Sequence, residues 1–350
     1  MIESTIYFAY PGDLETQTGG YSYDRRLINE LRGLGVEVEA LSLPLSSLNP
    51  DHQTLNNVQQ IFAALPDYAI VIIDGLALGV LDDLAMKEQQ RLRLVALCHH
   101  PLALETGLNE AQKKTLLASE KKALSFTRAT IVTSDHTKQV LIDQFGLPAE
   151  KIIAALPGTD SAPFALCDGD PIRLLTVASL TPRKGHDVLI DSLATIKSLN
   201  WQARFVGGCH FDSDWAKKLR KQVNTLELSE RVHFAGSVDD TQAEYQQADV
   251  FVLPSRFEGY GMVFAEALAA GLPVIAARAG AVPQVVPEAA GLLVPPNDTQ
   301  ALTDALRQVL TNEPLRRSLQ AGARQAAATL TSWTDTAKLV ARKIEEVRKS

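Results

Sequence analysis

The chain has 350 residues, of which 46% are hydrophobic and 21% charged, values typical of globular proteins and not of disordered or fibrous ones. Its length corresponds to about two domains, and no apolar run approaches the ~18 residues of a membrane span. The net charge of −7 argues against general nucleic-acid binding, which requires a basic surface. Residues 1–150 carry 12 Lys and Arg against 19 Asp and Glu, whereas residues 151–350 carry 22 of each. The two halves are therefore predicted to handle different molecules.

The three cysteines, Cys98, Cys167 and Cys209, lie far apart and form no CxxC pair. This spacing excludes a disulfide scaffold and a standard zinc motif. The start, Met1 to Ser4, has an early acid and no basic leader. These features predict a reduced, cytoplasmic protein.

The first half alternates short apolar runs with helical patterns, and a glycine-bearing loop over 11–20 follows the first run. Strands are predicted at 6–10, 36–43, 69–73, 94–98 and 129–133, and helices at 23–32, 109–126 and 136–145. Short, unbroken apolar runs suit parallel strands that are buried on both faces. The alternation predicts an α/β sheet with right-handed crossovers.

The pattern restarts after a linker at 156–163. Strands are predicted at 172–178, 203–206, 232–235, 249–253 and 274–277, with a loop at 181–185 and a helix at 186–198. Two doubly wound domains are expected to leave a cleft at the carboxyl ends of their strands, where open α/β sheets bind ligands.

Residues 249–275 are the most informative segment, because a strand there leads into a Gly-x-Gly turn and a helix is predicted to start near Gly261. Free N–H groups at a helix start favour an anion, and glycine allows close approach. Glu266 suits a ribose diol, since a carboxylate accepts two hydroxyl donors. Either Glu258 or Glu266 alone would more often be an ordinary helix-start acid, but their pairing around this turn favours ligand binding.

Two other interpretations of this segment remain open. Gly259-x-Gly261-x-x-Phe264 is one glycine short of the dinucleotide fingerprint, and Arg278 resembles the phosphate-binding arginine of an NADP enzyme. An NADP-type oxidoreductase is therefore the alternative function, although dinucleotide folds usually place this turn after their first strand. A glycosidase pair is disfavoured, because a fully helical 258–266 would separate its two acids by ~12 Å.

The Asp-x-Asp matches at 168–170 and 212–214 predict no metal site. The first lies near the linker, and the second precedes a helical run from Trp215, which indicates helix capping.

These residues resemble the family 4 retaining glycosyltransferases of the GT-B fold. The main match is the pair Glu258 and Glu266, which are separated by seven intervening residues, with Glu258 inside Pro-Ser-Arg-Phe-Glu-Gly-Tyr-Gly. Supporting matches, in family order, are Gly19-Gly20, Leu97-Cys-His-His100, Pro157-Gly-Thr-Asp160, Pro182-Arg-Lys-Gly185, Val206-Gly-Gly208 and Phe234-Ala-Gly-Ser-Val238. The resemblance implies two Rossmann-like domains that face a central cleft.

The resemblance also implies domain roles. Residues 1–160 would form the acceptor-side domain and residues 161–330 the nucleotide-sugar domain. Residues 331–350 would form a helix that packs back on the first domain.

In the second domain, the resemblance makes Glu258 a contact for donor sugar hydroxyls and Lys184, beside Arg183, the group that neutralises the departing diphosphate. Glu266 would hold the ribose. Backbone contacts to the donor would come from Gly261, Met262 and Val263, and the base would lie beside Gly236 to Val238.

In the first domain, Gly19 and Gly20 would let the chain approach the donor phosphates, and His99 would face the donor sugar. Catalysis would thus rest on His99, Glu258 and Lys184. One departure is Ala178-Ser179, where the family commonly has Gly-Arg. Arg183 or Arg256 would then replace the missing arginine, or activity would be weak.

The implied reaction is metal-free transfer with retention, by front-face attack, of a hexose-type sugar from a UDP-, GDP- or ADP-linked donor. No further cofactor is expected. The acceptor would be a carbohydrate, a lipid-linked molecule or a small molecule. A catalytically idle sugar-nucleotide binding protein is a further alternative.

The lysine pairs at 113–114 and 121–122 lie on one predicted helix with several leucines, and many relatives attach to membranes through such a helix. Because Glu110 and Glu120 dilute this charge, a solvated face is predicted. Weak peripheral contact with the inner membrane surface is the other interpretation.

Overall fold

A computed structural model describes residues 5–105 and 107–349 and divides them into two compact units. The first unit contains the described residues up to Gly158 and those from Thr331 onward, and the second runs from Thr159 to Leu330. Residues 1–4, on which the expectation of no leader rests, lie outside the described residues.

In the described part of the first unit, six parallel strands form one sheet in the spatial order β2-β1-β3-β4-β5-β6. The strands are β1 (Ile6–Pro11), β2 (Val38–Leu43), β3 (Ile70–Asp74), β4 (Arg93–Cys98), β5 (Ala129–Val132) and β6 (Ile152–Ala154). The helices are α1 (Gly19–Gly33), α2 (His52–Ala63), α3 (Gly75–Leu78), α4 (Asp82–Glu88), α5 (Glu110–Ser125) and α6 (Asp135–Asp143). Every residue of β3 and β5 is buried, as the unbroken apolar runs predicted.

The start of α1 differs from the prediction, because Gly19 and Gly20 lie in its first turn and not in a loop. Thr18 is the N-cap, and its side chain accepts a hydrogen bond from Tyr21 N at 3.4 Å. A capping threonine lets the helix begin at glycines that propensity alone would exclude.

The second unit repeats this architecture, with the strand order β12-β11-β10-β7-β8-β9 in its six-stranded parallel sheet over the described residues. The strands are β7 (Ile172–Val177), β8 (Trp201–Val206), β9 (Val232–Gly236), β10 (Val250–Leu253), β11 (Val274–Ala277) and β12 (Gly291–Val294). The helices are α7 (His186–Ala194), α8 (Ser213–Thr225), α9 (Thr241–Gln246), α10 (Met262–Ala269), α11 (Val282–Val285), α12 (Thr299–Thr311) and α13 (Glu313–Ala327). The predicted α/β class is confirmed; β6 and β12, which sequence reasoning missed, are short edge strands with little pattern to detect.

The last helix, α14 (Trp333–Lys349), belongs to the first unit. Trp333 meets Tyr23 edge to face at 5.5 Å between ring centroids, and the Arg26 guanidinium lies 5.3 Å from the Trp333 ring. Thr336 donates a hydrogen bond to the Leu156 carbonyl at 2.6 Å. These aromatic and cation–π contacts fix the chain end against α1.

Helix α5 carries the lysine pairs on a largely solvated face. Lys122 pairs with Asp82 at 2.8 Å and with Asp83 at 2.7 Å, and Glu110 is exposed. The expectation that Glu120 shares this face is wrong, because Glu120 is 2% exposed and its Oε1 accepts from Leu102 N at 3.2 Å. Among the described residues, no helix has both the length and the apolar character needed to cross a bilayer.

Burial raises the pKa of Glu120 to about 8, so the folded protein holds this carboxyl neutral while the unfolded chain ionises near its ordinary value. Stability is therefore expected to fall as pH rises from about 5 to 8. We expect Glu120→Gln to gain stability relative to wild type over this interval, measured as urea midpoints at both pH values. Glu110→Gln, on the exposed face, is the control; equal pH slopes in wild type and Glu120→Gln would contradict the assignment.

Candidate functional site

In the second unit, most of the predicted site residues lie at the carboxyl edge of the sheet, where parallel sheets bind ligands. Arg183 and Lys184 lie in a 3₁₀ turn after β7, and Gly236 ends β9. Glu258 follows β10, and Glu266 lies on α10. The order of the strands thus gathers positions that are up to 83 residues apart in the chain.

Glu258 is 5% exposed and is surrounded by donors. Its Oε1 lies 2.7 Å from Lys184 Nζ and accepts from Ser255 Oγ at 2.6 Å, while Oε2 lies 3.1 Å from Arg183 Nη1. A buried carboxylate with two cations and a hydroxyl is a well-satisfied ion cluster. The structure therefore brings Arg183, Lys184 and Glu258 together.

The ionisation of Glu258 follows from these contacts. Burial alone would raise its pKa, but Lys184 and Arg183 outweigh burial, and the hydrogen bonds from Lys184 and Ser255 add to them, so its pKa falls to about 2. Glu258 is thus a fixed anion at any ordinary pH and accepts hydrogen bonds without donating them.

Arg256 is engaged away from this cluster. Its guanidinium binds the Asp187 carboxylate in a two-point arrangement, at 3.0 and 2.7 Å, and its Nε donates to Asn297 at 2.7 Å. Arg256 also donates to the Pro182 carbonyl. Of the two arginines named as substitutes for the family arginine at Ser179, Arg183 is the one that contacts Glu258.

Helix α10 begins directly after Gly261, whose φ of +90° is strained for any residue with a side chain. A Cβ at Gly261 would also lie 2.6 Å from the Phe264 ring. Met262 and Val263 are the first helical residues, so their backbone N–H groups belong to the unpaired first turn. The predicted helix start is confirmed, and its geometry suits an anion.

Glu266 is anchored by a residue that sequence reasoning missed. Tyr245 Oη donates to Glu266 Oε2 at 2.8 Å, and Tyr245 is 3% exposed on α9. Burial raises the pKa of Glu266, while the Tyr245 hydrogen bond opposes that rise. The tyrosine fixes one carboxylate oxygen and leaves the other for a ligand.

We expect Tyr245→Phe to weaken binding of ribonucleoside diphosphates about fivefold, because one hydrogen bond of about 1 kcal/mol to Glu266 is lost. Calorimetric titration would compare the ribonucleotide with its 2′,3′-dideoxy analogue in both proteins. Tyr68→Phe, at an exposed position of the first unit, is the control. An equal loss for both nucleotides would contradict a link between Tyr245 and the ribose.

Gly236 and Val238 lie at the end of β9 and just after it. Gly236 has a φ of +74°, and a Cβ there would meet no atom within 4 Å. Val238 is half-buried against the core cluster that contains Tyr245. This edge therefore offers open space beside a partly apolar wall.

In the first unit, His99 follows β4 and is held by two acids from other elements. Its Nε2 lies 2.9 Å from Asp24 Oδ1 and 3.4 Å from Asp74 Oδ2. A Cβ on Gly20 would lie 3.4 Å from the His99 ring, and one on Gly19 would meet nothing within 4 Å. Gly20 and His99 are thus neighbours, with open space beside Gly19.

The ligand atoms of Asp24, Asp74 and His99 lie within 4.8 Å of one another, a spacing at which three such groups could hold a small cation. However, His99 Nε2 lies 2.9 Å from Asp24 Oδ1, which is a hydrogen-bond distance, so this nitrogen already has a partner.

Two family profiles match the chain. Residues 19–162 match the profile described as Glycosyltransferase Family 4, and residues 162–326 match Glycosyl transferases group 1. The chain belongs to the family 4 glycosyltransferases. The resemblance carried by the Glu258 and Glu266 motif is thereby confirmed.

Relatives of this chain include D-inositol 3-phosphate glycosyltransferase from Jonesia denitrificans, 29% identical over 65% of this chain and 58% of that protein. The chain thus spans less than two thirds of that curated relative. Sucrose-phosphate synthase from Thermosynechococcus elongatus has a TM-score of 0.81 at 24% identity, over 98% of this chain and 99% of that one. The Anabaena protein HepE in complex with UDP-glucose has a TM-score of 0.78 at 19% identity, over 97% and 100%. The two structures establish the GT-B fold.

Two details of the second unit bear on the alternatives. In a dinucleotide-binding turn, the third glycine lets the helix pack closely against the strand. Phe264 stands at that position here, and its fully buried ring packs against Phe251 in the space that such close packing would need. Asp212 caps α8 through a 2.9 Å hydrogen bond from Trp215 N, as its sequence position indicated.

The sequence patterns did not indicate Asp24 and Asp74, the two acids beside His99. Asp74 is the last residue of the buried strand β3, and His99 directly follows the neighbouring strand β4. Because the carboxyl ends of parallel strands lie at the same edge of a sheet, the sequence could have indicated that these two side chains are close. Asp24 lies on the buried face of α1 beside Tyr23 and Leu27, where an acid is unusual.

Proposed function

We propose that the protein is a retaining glycosyltransferase that moves a hexose-type sugar from a nucleoside-diphosphate sugar to an acceptor hydroxyl without a metal ion. The observation that carries the proposal is the cluster of Arg183, Lys184 and Glu258 at the carboxyl edge of the second sheet. Two cations suit a diphosphate, and a permanently ionised carboxylate suits sugar hydroxyls.

Donor binding is assigned to the second unit. Lys184 and Arg183 would bind the diphosphate together with the free N–H groups of Met262 and Val263 at the start of α10. Glu266, fixed by Tyr245, would accept the ribose hydroxyls, and the open edge at Gly236 and Val238 would take the base. The crystallised complex of HepE with UDP-glucose, which has the same fold, supports a nucleotide-sugar donor.

In the proposed reaction, the bond between the anomeric carbon and the β-phosphate oxygen breaks while the acceptor oxygen bonds to the same face of that carbon. The acceptor proton passes to the departing phosphate oxygen, so atoms and charge balance. Lys184 and Arg183 stabilise the charge that develops on the diphosphate, which is the role a metal has in other transferases. Glu258 orients the sugar and does not act as a nucleophile.

The first unit would bind the acceptor, which is a carbohydrate, a lipid-linked molecule or a small molecule. The negative balance of residues 1–150 disfavours a strongly anionic acceptor. The solvated, ion-paired face of α5 supports at most peripheral contact with the cytoplasmic face of a membrane.

The test is a thermal-shift panel of UDP, GDP, ADP and NADP, each with and without EDTA. We expect one nucleoside diphosphate to stabilise the protein equally well with the chelator. Transfer from the corresponding sugar nucleotides, followed by NMR of the product anomer, then tests retention. Stabilisation by NADP alone would favour the oxidoreductase, inversion of the anomer would refute the mechanism, and binding without hydrolysis or transfer would indicate an idle binding protein.

A further inference from the structure

Arg256 lies between β10 and α10, and its guanidinium binds groups from three other segments of the second unit. It forms a two-point ion pair, at 3.0 and 2.7 Å, with Asp187 in the first turn of α7. Its Nε donates to Asn297, which follows β12, at 2.7 Å, and its Nη1 donates to the Pro182 carbonyl. Arg256 therefore ties together segments that are far apart in the chain.

The turn that carries the two site cations is also held through its backbone. Arg256 N donates to the Arg183 carbonyl at 2.7 Å. Gly185, which ends the turn Pro182–Lys184, has a φ of +71°, and a Cβ there would collide with the Pro254 carbonyl. Only glycine allows this close approach between the two backbones. The position of the turn is thus set by the segment that contains Arg256.

This turn directs both cations at one carboxylate. Lys184 Nζ lies 2.7 Å from Glu258 Oε1, and Arg183 Nη1 lies 3.1 Å from Glu258 Oε2. Arg183 Nη1 also donates to the Phe257 carbonyl at 3.0 Å. Because both cationic side chains start from one short turn, a shift of the turn would move both away from the same ligand position.

The guanidinium geometry of Arg256 suits a clamp. Its hydrogen bonds to Pro182, Asp187 and Asn297 use four of the five N–H donors that a guanidinium has. The planar fork matches a carboxylate at two points, which a lysine ammonium cannot do. These donors are therefore committed to protein acceptors.

We propose that Arg256 is a positioning residue that fixes the turn so that Lys184 and Arg183 both face the diphosphate of the donor. Asp187 is its partner in this role, because it holds the guanidinium at two points. The inference rests on the proposed function for the identity of the ligand. Arg256 then acts on sugar transfer through the two cations beside Glu258 and does not itself contact the donor, unlike the family arginine that this chain lacks.

Asp187→Asn separates this role from direct contact with the diphosphate. The amide no longer forms the ion pair, so the turn loses support and kcat for sugar transfer is expected to fall at least about tenfold. Affinity for the nucleoside diphosphate, measured by calorimetric titration, should be unchanged or lower. If Arg256 bound the diphosphate directly, its release from Asp187 would tighten diphosphate binding, and that result would overturn the proposal.

Arg256→Lys keeps the positive charge and removes the fork. Its kcat is expected to fall as far as that of Asp187→Asn, and the double variant should lie within about twofold of the lower single variant, because both residues act through one clamp. Arg204→Lys, from the two-point ion pair with Glu244 at 2.6 and 2.7 Å, is the matched control and should keep wild-type kcat.

Each kcat is measured well below the Tm of the variant, so that all proteins are folded. A lower Tm with wild-type kcat in Arg256→Lys and Asp187→Asn would indicate a merely structural role and overturn the proposal. Additive losses in the double variant would also overturn it.

Limited acetylation with mass spectrometry examines the turn without any donor. The Lys184 side chain is 13% exposed and ion-paired, so it should react slowly in wild type and at least about threefold faster in Asp187→Asn. Lys217, 75% exposed, is the internal reference. Equal Lys184 rates in the two proteins would contradict the proposal. If wild type transferred no sugar from any nucleotide donor, the proposed function would fail, and the acetylation rates would still decide whether Arg256 and Asp187 hold the turn.

Discussion

Lys184→Ala is expected to reduce sugar transfer roughly 100- to 1,000-fold, the range seen when one preorganised donor to a developing anion is removed. Lys184 Nζ contacts Glu258 Oε1 at 2.7 Å and is the lysine of the family motif. Without it, Arg183 alone would face the departing diphosphate, because Arg256 binds Asp187. Steady-state transfer and calorimetric titration of the nucleoside diphosphate would measure the loss, and both kcat and diphosphate affinity should fall.

Lys184→Ala also leaves Glu258 with Arg183 as its one cation. The fold is expected to lose about 2 kcal/mol of stability, the size of one hydrogen bond to a buried charged group. The double variant Lys184→Ala/Glu258→Gln should recover most of this stability without recovering activity. This comparison separates the catalytic loss from the structural one. Near-normal transfer in folded Lys184→Ala would refute the assignment of Lys184.

Glu258→Gln is expected to have the opposite effect on the diphosphate. The amide no longer neutralises Lys184 and Arg183, so the nucleoside diphosphate should bind at least as tightly as in wild type and up to about tenfold more tightly. Sugar transfer should nevertheless fall about 100-fold, because an ionised acceptor for sugar hydroxyls is lost. Titration with the diphosphate alone, beside transfer assays with the whole donor, measures both effects.

Glu258→Ala gives the same contrast with the side chain removed, and Glu313→Gln, at an exposed site on α13, is a matched control. Because the pKa of Glu258 is held at about 2 by Lys184 and Arg183 against its burial, wild-type activity should show no acid limb from this residue above about pH 4. Equal losses of diphosphate binding and transfer in Glu258→Gln would show that Glu258 does not contact the sugar.

Local sequence patterns predicted the architecture and most residues of the candidate site in the second unit. Unbroken apolar runs such as β3 and β5 predict strands buried on both faces, and a Gly-x-Gly turn before an apolar helix predicts the start of α10. These signals are local, because burial and backbone conformation are encoded in neighbouring residues. Short edge strands such as β6, and a helix such as α1 that starts at a glycine pair, carry a weaker local signal. The sequence analysis therefore missed β6 and placed Gly19 and Gly20 in a loop.

Which side chains meet depends on the folding of the whole chain and not on local sequence. Arg183 and Glu258 are 75 positions apart, as are Asp24 and His99, and their contacts depend on which strands are neighbours in each sheet. Glu120 faces inward, and Arg256 binds Asp187 and not the Glu258 cluster, for the same reason. Periodicity fixes the face on which a residue lies, whereas the charge state of Glu258 or His99 is set by partners that arrive from distant strands and helices.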